Sequence, residues 1–254
     1  MRMNMVKILN RCGAALLCFF ALNFAHSDEI TLAGDPWCPF TCDPASDKPG
    51  LIVEVAKELL ESAGHKVNYS EVAWARAVSD TRENKINAVA GALKADAPDF
   101  IFPSVSWANQ KSCFFVKKGS AWKYKGVASL KDQKIGAVQE YTYGEPFDSY
   151  VKNSKSVDLV SGTGTTLKLF KKLQDSRVAI IIEDETVAAY TLANDKSLAG
   201  SEIVKVGCLK ATPLYVTFSP KNPKSKDYAK SLSESFKKFK TSPKMKEILS
   251  RYGL

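Results

Sequence analysis

Histidine is nearly missing from this chain: there are two in 254 residues, and His26 lies in a leading apolar segment, so His65 stands alone in the remainder of the sequence. With a single imidazole left, no nucleophile triad is available, and neither HExxH nor a P-loop occurs. Metal-dependent hydrolysis and P-loop nucleotide chemistry therefore have no motif to stand on, and no cofactor is expected. Long hydrophobic runs are also lacking past residue 27, so no later stretch is expected to span a bilayer. The excess of basic over acidic residues gives +9, but the lysines are dispersed, and the cluster Lys237, Lys238, Lys240 shares a helix with an apolar face. That pattern points to a solvated helix face and away from nucleic acid.

What is present begins with an export signal. Arg2, Lys7 and Arg11 precede the apolar run Cys12 to Phe24, which ends in the small residues Ala25-His26-Ser27. A basic flank, a short apolar core and small residues make a cleavable signal peptide, with cleavage expected after Ser27. Leu17 before Cys18 is too large for a lipoprotein site. Cleavage removes three cations and no acids, leaving a mature chain of +6. It also removes Cys12 and Cys18, so four cysteines enter an oxidising compartment, where disulfides are the expected state. Cys38 and Cys42 bracket a three-residue loop, which leaves Cys113 to pair with Cys208; a metal site is the rival, but CxxxC beside one histidine is a weak zinc signal, and no metal is expected.

Past residue 27 the chain reads as two α/β halves. Glu29 to Ala33 alternates as a strand and runs into GDPWCPFTCDPASDKPG, whose Trp37 and Phe40 are either stacking surfaces for a small ligand or plugs of the core. Ile52, Val55, Ala56, Leu59, Leu60 and Ala63 recur with helical spacing up to Gly64. A strand over Val67 to Val72, a helix from Trp74 to Asn84 and a strand over Ile86 to Ala90 complete one half. Arg76 falls in the first turn of its helix, where the dipole disfavours a cation, which hints at an anion to be held; pairing with Glu71 or Asp80 explains it equally. After an extended departure at Cys113 to Lys118, the second half carries strands at Lys134 to Val138, Val157 to Val160 and Val178 to Ile182. Glu183 and Asp184 follow the last of these, at the carboxyl end of a buried parallel strand where open α/β sheets bind ligands. One of the two, expected to be Asp184, faces the cleft. Two helices end the chain.

The order of GDPWCPF, GLIVEVAKELLESAGHKV, WARAV, NKINAVAGAL, SLKDQKIGAVQEYTYGEPF and SRVAIIIED resembles the family 3 extracellular solute-binding proteins, the polar amino-acid type that serve ABC transporters. The resemblance covers residues 28–254 and implies a type II periplasmic-binding-protein fold, with two α/β lobes joined by a two-strand hinge. Lobe 1 would take residues 28–110 and 217–254, and lobe 2 residues 111–216. It further implies a periplasmic monomer that hands a small polar, amino-acid-like or anionic ligand to a membrane transporter or sensor. The implied ligand contacts are Trp37 or Phe40, the segment Gly91, Ala92 and Lys94, the loop Gln139, Tyr141, Thr142 and Tyr143, and Asp184 as the acid that meets an amino group; Trp74 and Arg76 join them as candidates from the residues themselves. One departure is visible: amino-acid binders of this family carry Thr-x-x-Arg after the third strand, and the arginine position corresponds to about Ala97, so the carboxylate clamp is absent unless Arg76 or Lys94 replaces it. An enzyme on the same scaffold, dehydratase-like with Glu140 or Glu183 as cleft acid or base, is the alternative.

Overall fold

The computed structural model describes residues 27–254, and the N-terminal apolar run with its basic flank lies outside the described residues. Among the described residues, ten strands form two sheets of five and seven α-helices connect or follow them. The first half comprises β1 (Glu29–Gly34), α1 (Leu51–Ser62), β2 (Lys66–Glu71), α2 (Trp74–Arg82), β3 (Ala88–Ala92) and β4 (Ala108–Gln110). The second comprises β5 (Ser112–Lys117), β6 (Ile135–Val138), α3 (Phe147–Asn153), β7 (Val157–Val160), α4 (Thr165–Gln174), β8 (Ile180–Asp184), α5 (Glu185–Asn194) and β9 (Ile203–Cys208). The chain returns through β10 (Thr212–Phe218) and ends in α6 (Ser225–Phe239) and α7 (Pro243–Arg251).

Strand order is β2-β1-β3-β10-β4 in one sheet and β7-β6-β8-β5-β9 in the other. In each, three parallel strands built by β-α-β connection are extended by an antiparallel pair. Strands covered on both faces must be apolar on both, and the antiparallel β5 shows it: Phe114 packs with Phe147, Ile180 and Ile182, while Phe115 packs with Leu169, Phe170 and Ile181 on the opposite side. Around the first sheet, α1 buries Ile52, Val55, Ala56, Leu59 and Leu60 against the same core as Leu232, Phe236 and Ile248 of the terminal helices. Arg251 and Tyr252 then tie the chain end to Glu54 of α1.

The chain passes between the sheets twice, at Lys111 between β4 and β5 and at residues 209–211 between β9 and β10. The crossings run side by side. Gln110 is paired with Thr212 on one side and Cys113 with Cys208 on the other. Cys113 is bonded to Cys208, and Cys38 to Cys42.

Three boundaries differ from the pattern of apolar residues. The third strand lies two residues later than Ile86 to Ala90, because Asn87 uses its side-chain oxygen to accept from the Thr31 N–H at 2.9 Å before the ladder starts. β8 likewise runs Ile180–Asp184 in place of Val178 to Ile182, which puts Glu183 and Asp184 on the strand itself. β10 pairs with β3 and β4 over Thr212–Phe218, so the division drawn at 216 falls inside a strand of the first sheet. Pairing partners, invisible in local composition, set all three ends.

Candidate functional site: the cleft between the lobes

The strand ends of the two sheets face each other, and each supplies one wall of a cleft. From the first lobe, β1 ends at Gly34 and delivers Asp35 and Trp37 at once. The Trp37 N–H donates to the Thr41 carbonyl at 2.8 Å, closing the disulfide-bearing loop on itself. Gly50 takes φ +120° where this loop meets α1; a Cβ there would stand 2.4 Å from the Phe40 carbonyl oxygen, so only glycine fits. Trp74 opens α2, and Gly91 lies near the end of β3. From the second lobe, Tyr141 and Thr142 follow β6, and Gln110 stands at the hinge, its amide N–H donating to the Thr142 carbonyl at 3.0 Å.

Asp35, Trp37, Trp74, Gly91, Gln110, Tyr141 and Thr142, with Ala90 and Asp96, line a tight, partly open cavity with about 20 Å³ of room for water-sized groups. Tyr141 forms its centre. Its ring meets Trp37 at 6.4 Å and 81° and Trp74 at 6.1 Å and 79°, so two indoles stand edge-on to one phenol. The Tyr141 hydroxyl donates to Asp35 Oδ2 across the cleft. A second bridge runs the other way, from the Trp37 indole N–H to Glu183 Oε1 at 2.9 Å.

The electrostatics are one-sided. Asp35 is 7% exposed, and burial pushes its carboxyl up to about 6 against the opposing pull of the Tyr141 hydroxyl. Asp96 is also pushed up to about 6, chiefly by desolvation, with repulsion from Asp148 and Asp35 added. Its Oδ2 accepts from the Leu93 N–H at 2.6 Å, while Oδ1 is enclosed and no hydrogen bond of normal geometry reaches it. The nearby Thr142 hydroxyl only eases that charge. Behind Trp37, Glu183 is 2% exposed and raised to about 7, again by burial. No Lys, Arg or His lines the cavity.

No family model and no curated protein matches the chain. Solved structures do. A histidine kinase sensor domain with similarity to periplasmic binding proteins aligns at TM-score 0.74 and 15% identity, over 88% of this chain and 95% of that one. The fold is that of the periplasmic binding proteins. ArtJ, the arginine-, lysine-, histidine-binding protein from Geobacillus stearothermophilus, aligns at TM-score 0.71 and 16% identity, over 88% and 94%. The ancestral amino-acid-binding protein AncCDT-1, a precursor of cyclohexadienyl dehydratase, gives 0.69 and 17% over the same shares.

Within this periplasmic-binding-protein cleft, the candidates from sequence separate into three groups. Trp37, Trp74, Gly91, Tyr141 and Thr142 line the central cavity, and Gln139 lines an outer part of the cleft beside Asp35, Trp74 and Tyr141. Phe40, Ala92 and Tyr143 are core residues instead: Phe40 backs Trp37 at 5.0 Å, Ala92 is fully buried on β3, and the Tyr143 hydroxyl accepts from the Val138 N–H at 2.7 Å. Arg76, Lys94 and Asp184 point elsewhere. The Arg76 side chain is 78% exposed and pairs with Asp80 at 3.2 Å, one helical turn away. Lys94 is exposed and sits 5.6 Å over the Tyr215 ring. Asp184 caps α5, accepting from Thr186 at 2.8 Å and Val187 at 3.1 Å, and also takes the Lys111 N–H at 2.7 Å.

The expected order of the two acids is therefore reversed: Glu183 reaches the lobe interface and Asp184 the body. Adjacent strand residues point to opposite faces, and Glu183 is the one turned to Trp37 of the opposite lobe. Ala97, the position of the absent clamp, is fully buried. Asp35 and Asp96 were missed as cleft residues; each is an acid in a polar loop, a placement far more often solvated than enclosed. Glu183 has all its contacts inside the protein, accepting also from Thr166 at 2.7 Å and the Asp184 N–H at 2.7 Å, and so has no reach into the cavity as an acid or base. The one group of His, Cys, Asp and Glu among the described residues close enough to hold a metal is Cys113, Glu185 and Cys208, and its two sulfurs are joined to each other.

Proposed function

We propose that this chain is an exported solute-binding protein that closes its two lobes over a small polar molecule and presents it to a membrane transporter of the ABC type. The observation that carries this is a cavity walled from both lobes, with Asp35, Trp37, Trp74 and Asp96 on one side and Tyr141 and Thr142 on the other. A ligand there touches both lobes only when they are together, so it shifts the open-to-closed equilibrium by the contacts that closure adds. The paired crossing at Lys111 and residues 209–211 is a hinge of the kind such closure needs. The basic and apolar start of the chain supports export, and no helix among the described residues is long and apolar enough to cross a membrane. Its structural neighbours support the same role, being amino-acid-binding proteins such as ArtJ. The sensor-domain neighbour supports a second recipient, a membrane receptor in place of the transporter.

The test is a thermal-shift screen of residues 28–254 against amino acids, amines, organic acids and small peptides, followed by small-angle scattering. A ligand at a hundred times its Kd stabilises the protein by about 2.7 kcal/mol, which raises the Tm by about 5–10 °C for a chain of this length. A hit that also reduces the radius of gyration supports the proposal. No hit in the whole library, and no compaction with any compound, overturns it.

A further inference from the structure

The cavity is built for one sign of charge. Asp35 and Asp96 both line it, Glu183 stands behind Trp37, and no basic side chain answers them from either wall. The outer part of the cleft adds Glu140; Lys168 at its rim is held by the Ser161 carbonyl at 2.9 Å, and Lys152, further out, lies among Glu140, Glu145 and Asp148. Arg76 is taken up by Asp80, and Lys111 by Glu185 at 3.0 Å, so neither is free to swing in without breaking a pair. The neutral donors are already used: the Tyr141 hydroxyl on Asp35, the Trp37 indole on Glu183, and the Gln110 amide on Thr142 and Ser112. The Asp96 carboxylate remains: it accepts from the Leu93 N–H and has the Thr142 hydroxyl beside it, but no hydrogen bond of normal geometry reaches its Oδ1. A buried carboxylate oxygen without a donor is costly, and a ligand that brings an N–H and a positive charge removes that cost.

The uncharged part of the cavity points the same way. Trp37, Trp74 and Tyr141 pack edge-on against one another and line the cavity beside the two carboxylates, and aromatic rings attract cations while walling off water. A carboxylate placed in the same space meets Asp35 and Asp96 at short range with no guanidinium or ammonium to hold it.

Taking the chain as a cleft-closing binding protein, as proposed above, we infer that its ligand is a small organic cation with N–H donors and no carboxylate: a primary amine, diamine or guanidine held by Asp35 and Asp96 with its carbon skeleton against Trp37, Trp74 and Tyr141. Matched pairs test this directly by calorimetry on residues 28–254. Phenethylamine, cadaverine and agmatine differ from phenylalanine, lysine and arginine only by the missing carboxylate. The expected result is that an amine binds at least tenfold more tightly than its own amino acid. Asp96→Asn keeps an oxygen for the Leu93 N–H, so the fold persists with the Tm within a few degrees of the parent, while affinity for that amine falls at least tenfold.

Amino acids that bind as well as or better than their amines overturn the ligand class and leave the binding-protein role standing. If none of the six binds, the charge of a hit from the wider library decides: a carboxylate-free cation supports the inference and an anion or zwitterion ends it. A library with no hit and no compaction ends both. An Asp96→Asn variant that keeps its fold and its amine affinity removes Asp96 from the site and overturns the assignment.

Discussion

Glu183 carries its charge in a place where three donors reach it and no cation does. Its carboxyl sits at about 7 because burial outweighs the hydrogen bonds from Trp37, Thr166 and the Asp184 N–H, and the Asp184 carboxylate adds repulsion. An acid raised from an ordinary value of 4.5 gives stability that is fully present below about 4.5 and is lost as pH rises through about 7. The loss is up to about 3 kcal/mol at 1.4 kcal/mol per unit. Glu183→Gln keeps the shape and an acceptor for the indole, so it should leave stability near pH 5 almost unchanged and raise it by about 1–3 kcal/mol at pH 8. Urea denaturation at the two pH values checks this; equal effects at both would mean that Glu183 is not raised. Arg76 gives the contrasting case, an exposed helix pair worth a few tenths of a kcal/mol. Arg76→Ala should shift stability by less than about 0.5 kcal/mol and leave ligand affinity unchanged in titration.

At the scale of elements, Asp184 belongs to α5 and the hinge. It satisfies two free N–H groups in the first turn of that helix and one on Lys111, where the chain crosses between lobes. Asp184→Ala removes the cap and leaves the Lys111 N–H without its partner. The expected cost is about 1–3 kcal/mol in urea unfolding, with ligand affinity within about threefold of the parent; a loss of binding at full stability would return Asp184 to the site. The strand ends carry the same lesson. β8 stops at Asp184 because its partner β5 pairs Ser112 with Asp184, two residues past the end of the apolar run Val178 to Ile182.

For the whole molecule, the hinge is reinforced by a covalent tie. Cys113 and Cys208 lie opposite each other on β5 and β9, next to both crossings, and their bond closes a loop spanning 95 residues. Chain entropy assigns such a loop about 4–5 kcal/mol. The double change Cys113→Ser, Cys208→Ser should lower unfolding stability by that order, read as a drop in the urea midpoint. An unchanged midpoint would show that β5 and β9 hold the hinge by pairing alone. Charge is also distributed at this scale: the sequence is basic, +9 over its full length, yet the acids Asp35, Asp96 and Glu183 are gathered where the lobes meet. Net charge therefore says nothing about the sign of the site.

The two-lobed α/β plan was legible in the sequence because it rests on periodicity, on short apolar strands and on glycine-punctuated turns, all of which are local. Trp37 was legible too, as a large aromatic in a loop at a strand end, Trp74 as the opening residue of a helix, and Tyr141 through the family resemblance. The role of the acids was not. Whether a loop aspartate is solvated or enclosed depends on what the opposite lobe brings to it, and Tyr141 meets Asp35 across 106 positions of chain. Trp37 meets Glu183 across 146. Sequence determined the elements and their order; the tertiary structure alone decided the sign and the walls of the cleft, since burial and long-range pairing set the charge state of a side chain and exist only once the halves are folded together.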